Sequence, residues 1–375
     1  MTAFANTSGG TLVFGVREQD GQAVEVTGVP ANGLDAELSR LSNVLHDWTT
    51  PRVGPNVDLS VLPLGAGLAV VVVEVDRSWS RPHAVSSPGE HTMSFYRRVG
   101  RDSLPFDAVE VAELVRESQS LPSRLHAFHA DRVAAIQAGE LPRPLLLPRY
   151  YVLTVTPWQA LRPMPPQVPV VDLQPRLLER AHVYRPSLEG VVVIDTDQFL
   201  DDERPAFEQA VAHRSGAVEF VGHVGFYPEE GDSDAVRFSH LNVEESIVAH
   251  VGAVARYWFD AGITGPCSLG LTLVGTRDVI APASTTSGHE HDSRIRRPAL
   301  RLPRLDLMDA PRADEQSVAT ALRPMFDVLA KPRGGTARGA STQKGIGISS
   351  AAYAEARIQP GLGDQGHDLA RRATI

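Results

Sequence analysis

The chain has 375 residues, and its 36 basic and 45 acidic side chains give a formal net charge of −9. Hydrophobic residues make up 42% and charged residues 22%, which is typical of globular proteins and excludes a fibrous or largely disordered chain. The single cysteine, Cys267, excludes a disulfide framework and a zinc site built from several thiolates. No apolar run is long enough for a membrane span and the N-terminus lacks a secretory pattern, so we expect a cytoplasmic protein without membrane contact.

The N-terminal third of the chain alternates strand and helix patterns. Apolar runs at Thr11–Val16 and Ala23–Val29 flank Asp20-Gly21 and predict a hairpin. Leucines at helical spacing predict a helix over Leu34–His46. The run Leu68–Val75 is apolar on both faces and predicts a central strand.

A strand and a helix close this segment. The strand is predicted at Thr92–Val99 and the helix at Asp107–Ser118, where Asp107 and Glu110 have the spacing of a capping box. A polar stretch containing Pro122 predicts the end of this helix. We therefore predict a first domain at residues 1–120 and a helical linker at 121–142.

Residues 143–330 are predicted to form a second α/β domain of unknown role. Its long helix is predicted to begin at Asn242, with Glu245 in the capping-box position, and to end at Gly262. Residues 331–375 carry seven basic and three acidic side chains without a hydrophobic period, which predicts a disordered basic tail. The strands of the second domain are predicted at Tyr150–Thr156, Val191–Asp195, Ala217–Phe226 and Ser268–Val274.

The most distinctive pattern is a glycine-containing run near the N-terminus. Asn6 and Thr7 precede Gly9-Gly10, so a helix is expected to end here and turn into a strand. Glycine also lets a base or a phosphate approach the backbone closely, so a plain turn and a ligand contact both remain open. The full run is Phe4-Ala5-Asn6-Thr7-Ser8-Gly9-Gly10-Thr11-Leu12-Val13-Phe14-Gly15-Val16.

This run resembles the core of the Schlafen AlbA-type domain. The resemblance continues through Thr27-Gly28-Val29, Ser80-Arg81-Pro82 and Phe95-Tyr96-Arg97-Arg98-Val99-Gly100, and covers roughly residues 2–118. It implies an α+β fold, in which a mixed sheet is flanked by helices, and binding of nucleic acid or of ATP. In the family a strand and a helix precede the motif, so we expect this domain to be incomplete at its N-terminus. The acidic residues of ribonucleolytic members have no match that we can identify.

Basic residues near the predicted strand form the best local phosphate site of an acidic segment. Residues 1–120 hold 9 basic and 15 acidic side chains, so binding is expected to be local rather than spread over a broad basic face. Alternation along the strand places Arg97 and Arg98 on opposite faces; a solvated, charge-protected edge strand is the alternative. The predicted nucleic-acid- or nucleotide-binding residues are Asn6, Thr7, Gly9, Gly10, Tyr96, Arg97, Arg98 and Arg101.

Three functions follow as hypotheses. The first is a bacterial-type regulatory protein that binds DNA or RNA, with no catalytic residue assigned. The second is a metal-dependent nuclease or ATP-hydrolysing enzyme, in which Asp195 and Asp197 would supply carboxylates for Mg²⁺; ATP and Mg²⁺ are the candidate cofactors, although no metal site is predicted. The third is a homodimeric interaction module without a ligand of its own.

Overall fold

The computed structural model describes residues 1–86, 92–162, 165, 167–178, 181–195, 205–229, 232–284, 290–311 and 314–329. Within these residues helices accompany several mainly antiparallel sheets, which confirms the predicted α+β class. The predicted basic tail at 331–375 lies outside the described residues, as does Asp197.

In the N-terminal unit, residues 1–107, the described part (1–86 and 92–107) contains two helices, a short 3₁₀ turn at Gly54–Asn56 and ten strands. The helices are α1 (Thr2–Asn6) and α2 (Leu34–Asp47). The strands are β1 (Gly10–Phe14), β2 (Val16–Gln19), β3 (Gln22–Val26), β4 (Val29–Pro30), β5 (Thr49–Thr50), β6 (Val57–Gly65), β7 (Leu68–Val75), β8 (Ala84–Val85), β9 (Ser94–Val99) and β10 (Asp102–Pro105).

Strand β7 is the centre of the first sheet, as its apolar sequence predicts. It pairs antiparallel with β1, β4 and β6. Val71, Val73 and Val75 are buried, and Leu41 and Leu45 of α2 belong to the same hydrophobic cluster. A second sheet has the order β10-β9-β8-β5 and carries the aromatic-basic strand β9.

The hairpin around Asp20-Gly21 forms, but its arms differ from the prediction. Strand β2 pairs with β3, whereas β1 pairs with β7. A single strand over Thr11–Val16 is therefore wrong. The chain turns at Gly15, which has a φ of +95°, and a Cβ there would lie 3.0 Å from the Cα atom of Gly28.

Helix α3 (Ala108–Gln137) begins with the predicted capping box. The Asp107 carboxylate accepts hydrogen bonds from the N–H groups of Val109 and Glu110, both at 2.8 Å. The Glu110 carboxylate in return accepts the N–H of Asp107 at 2.9 Å. These bonds satisfy backbone donors that a helix N-terminus otherwise leaves without partners.

Pro122 does not end α3, although the sequence predicts a break there. A proline inside a helix removes one backbone hydrogen bond and costs about 3 kcal/mol. Leu121 and Leu125 are buried on either side of it, and burial of a leucine contributes about 1.5–3 kcal/mol. Burial therefore offsets the cost, and α3 runs through the predicted boundary at residue 120.

Within its described residues, the C-terminal unit (145–329) adds a 3₁₀ turn at Trp158–Leu161 and three helices: α4 (Val170–Leu173), α5 (His240–Asp260) and α6 (Glu315–Leu329). Its strands are β11 (Tyr150–Pro157), β12 (Ala181–Pro186), β13 (Gly190–Asp195), β14 (Glu208–His213), β15 (Val218–Gly222), β16 (Phe226–Glu229), β17 (Asp232–Phe238), β18 (Cys267–Val274), β19 (Ile280–Ser284), β20 (Glu290–Arg294), β21 (Ala299–Arg301) and β22 (Leu305–Leu307).

The large sheet of this unit has the order β12-β13-β14-β15-β11-β18-β21, and β22 also pairs with β18. Alternate residues of β11 enter two hydrophobic clusters, so this strand is buried on both faces. Val152 packs with Val133 of α3, whereas Leu153 belongs to the main core with Ile247 of α5. Every ladder of this large sheet is antiparallel, in keeping with the α+β class. A smaller sheet has the order β16-β17-β19-β20.

Two element boundaries in this unit differ from the predicted ones. Helix α5 begins at His240 rather than Asn242, so Glu245 lies beyond its first turn. The predicted strand Ala217–Phe226 divides into β15 and β16 because the chain turns at Gly225, whose φ is +90°. Cys267 is fully buried, and burial raises the pKa of its thiol to about 12.

No helix in the described part of the chain is both long and apolar enough to cross a bilayer.

Candidate nucleic-acid interface

Asn6 joins the N-terminal motif to strand β9. Its side chain is buried, and its Nδ2 group donates hydrogen bonds to the carbonyls of His83 and Tyr96, both at 3.0 Å. Its Oδ1 atom accepts the N–H of His83 at 2.7 Å. The amide therefore ties the end of α1 to His83, just before β8, and to the backbone of β9, and both N–H donors of the Asn6 side chain are used within the protein.

Thr7 makes a second connection to the same strand. Its hydroxyl donates to the carbonyl of Ala3 at 2.8 Å and accepts the N–H of Arg98 at 2.9 Å. The motif and the basic strand, which are far apart in the sequence, therefore form one rigid unit.

The two glycines of the motif lie against the protein's own atoms. Gly9 has a φ of +78°, and a Cβ there would lie 2.6 Å from the carbonyl oxygen of Val75. A Cβ on Gly10 would lie 2.4 Å from the ring of Phe4. Close packing at the end of β7 and at α1 therefore requires glycine at both positions.

Arg97 and Arg98 lie on opposite sides of β9. Arg97 forms an ion pair with Glu110, the capping residue of α3, and its guanidinium carbon lies 5.8 Å from the ring centroid of Phe106. Arg98 lies 5.0 Å from the ring centroid of Phe4 and donates a 3.4 Å hydrogen bond to Ser103. The charge of Arg97 is thus neutralised locally, whereas Arg98 has no carboxylate partner among the described residues.

Arg101 lies just before β10, in the turn that follows β9, and its side chain is 74% exposed. Glu18 lies 3.9 Å away and is 67% exposed, so this pair is well hydrated and weak. Tyr96 is half-buried; its carbonyl accepts the Asn6 amide and its register partner on β10 is Pro105. Arg98 and Arg101 are therefore the predicted site residues whose charge is most open to an anion.

The structure also reveals an arginine cluster that the sequence analysis did not single out. In the sequence, Arg81 stands out only as part of the Ser80-Arg81-Pro82 element of the family resemblance. Its Nη1 atom donates to the carbonyl of Asn6 at 3.2 Å, and its Nη2 atom pairs with Glu117 of α3. Arg77 approaches the other oxygen of Glu117 at 3.3 Å. No spacing in the sequence identifies this cluster, because Arg77 and Arg81 lie far from Glu117 along the chain and only the fold brings them together.

A buried polar network in the C-terminal unit does not have the geometry of a nucleophilic triad. His250 Nε2 lies 3.2 Å from Ser246 Oγ, 3.0 Å from Glu208 and 2.7 Å from the Tyr151 hydroxyl. In a triad the nucleophile and the acid bond to different ring nitrogens, whereas here both share Nε2. The network therefore connects α5 to the sheet.

The carboxylates of the enzyme hypothesis are only partly described. Asp195 is half-buried at the end of β13, and Asp197 lies outside the described residues. Among the residues that the structure describes, no group of three or more His, Cys, Asp or Glu side chains could hold a metal ion.

The family model described as Schlafen, AlbA_2 matches residues 1–107. The N-terminal unit is therefore a Schlafen AlbA-type domain, as the sequence resemblance indicated, and this family suggests a function related to nucleic acids. No curated protein and no solved structure matches the chain significantly.

Proposed function

We propose that the N-terminal unit binds DNA or RNA through Arg98 and Arg101, and that the chain acts as a regulatory nucleic-acid-binding protein. The observation that carries this proposal is the attachment of β9 to the motif by Asn6 and Thr7 in a domain of this family. This attachment supports the view that β9 is held rigidly and presents its basic side chains next to α1. Rigid placement lowers the entropy cost of binding a phosphate backbone.

The other predicted site residues have supporting roles in this proposal. Asn6 and Thr7 position the strand, and Gly9-Gly10 allows the close approach of α1 and β7 on which that position depends. Arg97, held by Glu110, fixes β9 against α3. Tyr96 lies on β9 two residues before Arg98, so the alternation of the strand places both side chains on the same face.

The charge of the domain sets the expected strength of binding. Residues 1–120 are acidic overall, so a broad electrostatic footprint is not expected. Two arginines neutralise at most about two phosphates, which predicts a logarithmic salt slope of roughly −1.5 to −2. Binding should therefore weaken with salt, but less steeply than for a highly basic domain.

The test is fluorescence anisotropy of the full chain with labelled single-stranded RNA, single-stranded DNA and duplex DNA over a KCl series. The key variant is Arg98→Gln/Arg101→Gln, which removes charge without disturbing the Arg97–Glu110 pair. Arg40→Gln is the matched control, because the Arg40 side chain is 77% exposed and lies on α2.

The wild type and the control are expected to bind one of the three polymers with a negative salt slope. The double variant should bind more weakly and with a flatter slope, because each lost phosphate contact reduces the slope by about one. No binding at low salt, or equal binding by the double variant, would contradict the proposal.

A further inference from the structure

Four arginines meet where α3 passes from the N-terminal to the C-terminal unit. Arg81, Arg124 and Arg162 line one pocket there, and Arg77 lies beside it. Glu117 is the acidic residue in the lining, and it pairs with Arg77 and Arg81. One negative charge therefore faces four positive charges in this cluster.

Two guanidinium groups of the cluster have an unused donor. The Nε–H groups of Arg77 and Arg162 are buried without a hydrogen-bond partner among the described atoms. Arg124 and Arg162 form no ion pair within the described ranges. Leaving a buried donor without a partner is costly, so such groups mark a place where a ligand could bind.

The positive charges of the clustered arginines also repel one another. The pKa of Arg77 is lowered to about 10, first by burial and then by the neighbouring charges of Arg81 and Arg162, although the charge of Glu117 acts in the opposite direction. Burial and the charge of Arg81 lower the pKa of Arg162 as well. An anion at this place would remove the repulsion that both shifts report.

The pocket is small and has room for a single phosphate oxygen. Its volume is about 10 Å³, which is room for roughly one water-sized group. Trp79 forms one wall: the Arg162 guanidinium lies 5.1 Å from its ring centroid, and Trp158 contacts it edge-to-face at 5.6 Å. Ser118 also lines the pocket.

We propose that this junction is a phosphate-binding site, in which Arg77, Arg124 and Arg162 contact the oxygens of a phosphate that is either free or part of a nucleic-acid strand. Planar guanidinium groups match phosphate geometry, and the excess of positive charge suits a group that carries up to two negative charges. Arg81 is a positioning residue, because it holds Glu117 and the end of α1. The site is independent of Arg98 and Arg101.

The experiment follows tryptophan emission and thermal unfolding of the full chain during titration with inorganic phosphate or with a short single-stranded DNA. Titration with KCl at matched ionic strength removes general salt effects. The test variants are Arg77→Gln/Arg162→Gln and the single change Arg124→Gln, whose side chain forms no ion pair within the described ranges. Arg116→Gln is the control, because Arg116 is an exposed arginine of the same helix.

We expect a saturable emission change and a higher Tm with at least one of the two phosphate probes. Affinity should fall about tenfold or more in the test variants and stay unchanged in the control, because charge-assisted hydrogen bonds are lost. Saturation by inorganic phosphate identifies a free phosphate as sufficient, whereas saturation by the DNA alone identifies a strand.

The Arg98→Gln/Arg101→Gln variant separates this proposal from the previous one. It should keep the phosphate response at the junction even if strand binding at β9 is lost. No saturable response to either probe beyond the KCl effect would overturn the junction site. The same holds for an unchanged response in both test variants.

Discussion

Asn6 is the side chain on which the N-terminal unit depends most directly, because its amide bonds to three backbone groups of two other segments. Replacing it in Asn6→Asp removes both N–H donors and brings a carboxylate against the carbonyls of His83 and Tyr96. We expect a loss of about 3 kcal/mol in the free energy of unfolding. Urea denaturation measures it.

The matched control is Asn43→Asp, an exposed position on α2. It should change the free energy of unfolding by no more than about 0.5 kcal/mol. Equal stabilities of the two variants would show that the hydrogen bonds of Asn6 contribute little.

His129 gives a pH dependence at the same scale. Its ring nitrogens bond to the hydroxyls of Thr154 and Thr272, each at 2.9 Å, and burial lowers its pKa to about 4. The unfolded chain takes up a proton near pH 6.5 and the folded chain does not, so stability falls as pH decreases from about 6.5 to 4.

We measure the slope of the unfolding free energy against pH between pH 6.5 and 5. In His129→Gln this slope should be smaller than in the wild type by the equivalent of about one proton. His46→Gln is the control, since His46 is exposed on α2. A slope in His129→Gln equal to that of the wild type would contradict the assignment.

At the scale of elements, helices α5 and α6 meet at two acidic side chains. Burial, followed by the charge of Asp327, raises the pKa of Glu244 to about 7. The folded chain therefore holds a proton that the unfolded chain releases near pH 4.5. The proton on Glu244 therefore adds to the free energy of unfolding. Its contribution is complete at low pH and is lost as pH rises from about 4.5 to 7.

Glu244→Gln should therefore stabilise the protein at pH 8 by about 1 to 2 kcal/mol, after allowance for partial exposure, and have little effect at pH 4.5. Urea denaturation at the two pH values measures the difference. The exposed neighbour Glu245 provides the control Glu245→Gln. Equal effects of the two changes at pH 8 would contradict a raised pKa of Glu244.

Much of the element structure follows from local chemistry. The capping box at Asp107 and Glu110 and the central strand β7 could be predicted because each depends on residues close in the sequence. The continuation of α3 through Pro122 could not, because it depends on the burial of Leu121 and Leu125 in the folded chain.

The candidate site was predictable to a similar degree. The sequence identifies the motif and the basic strand, but not that Asn6 bonds to the β9 backbone or that Glu110 neutralises Arg97. Arg77, Arg124 and Arg162 lie on different segments, so no spacing rule along the chain brings them together. The three side chains come together only in the folded protein, where α3 packs against both units.

At the scale of the molecule, α3 connects the two units through shared contacts. Ser118 of this helix donates a 3.1 Å hydrogen bond to the carbonyl of Trp79, and Trp79 packs on Trp158 of the other unit. We therefore expect the units to unfold together, with hydrogen exchange of α2 and α5 limited by the same opening.

Hydrogen exchange with mass spectrometry tests this expectation on the wild type and on Trp158→Ala, which removes the aromatic contact. Coincident protection of α2 and α5 is expected in the wild type. In Trp158→Ala the amides of α2 should exchange before those of α5. Separate exchange of the two helices in the wild type would contradict the expectation.

Helix α3 also constrains how this arrangement of units can change during evolution. Glu110, Glu117 and Arg124 follow one another at intervals of seven residues, about 10 Å along the axis, and so share one face. Inserting or deleting one residue between them rotates all that follows by about 100°. A heptad insertion would keep this phase but move the following residues by about 10 Å along the axis, so either kind of change would separate side chains of α3 from their partners in the N-terminal unit.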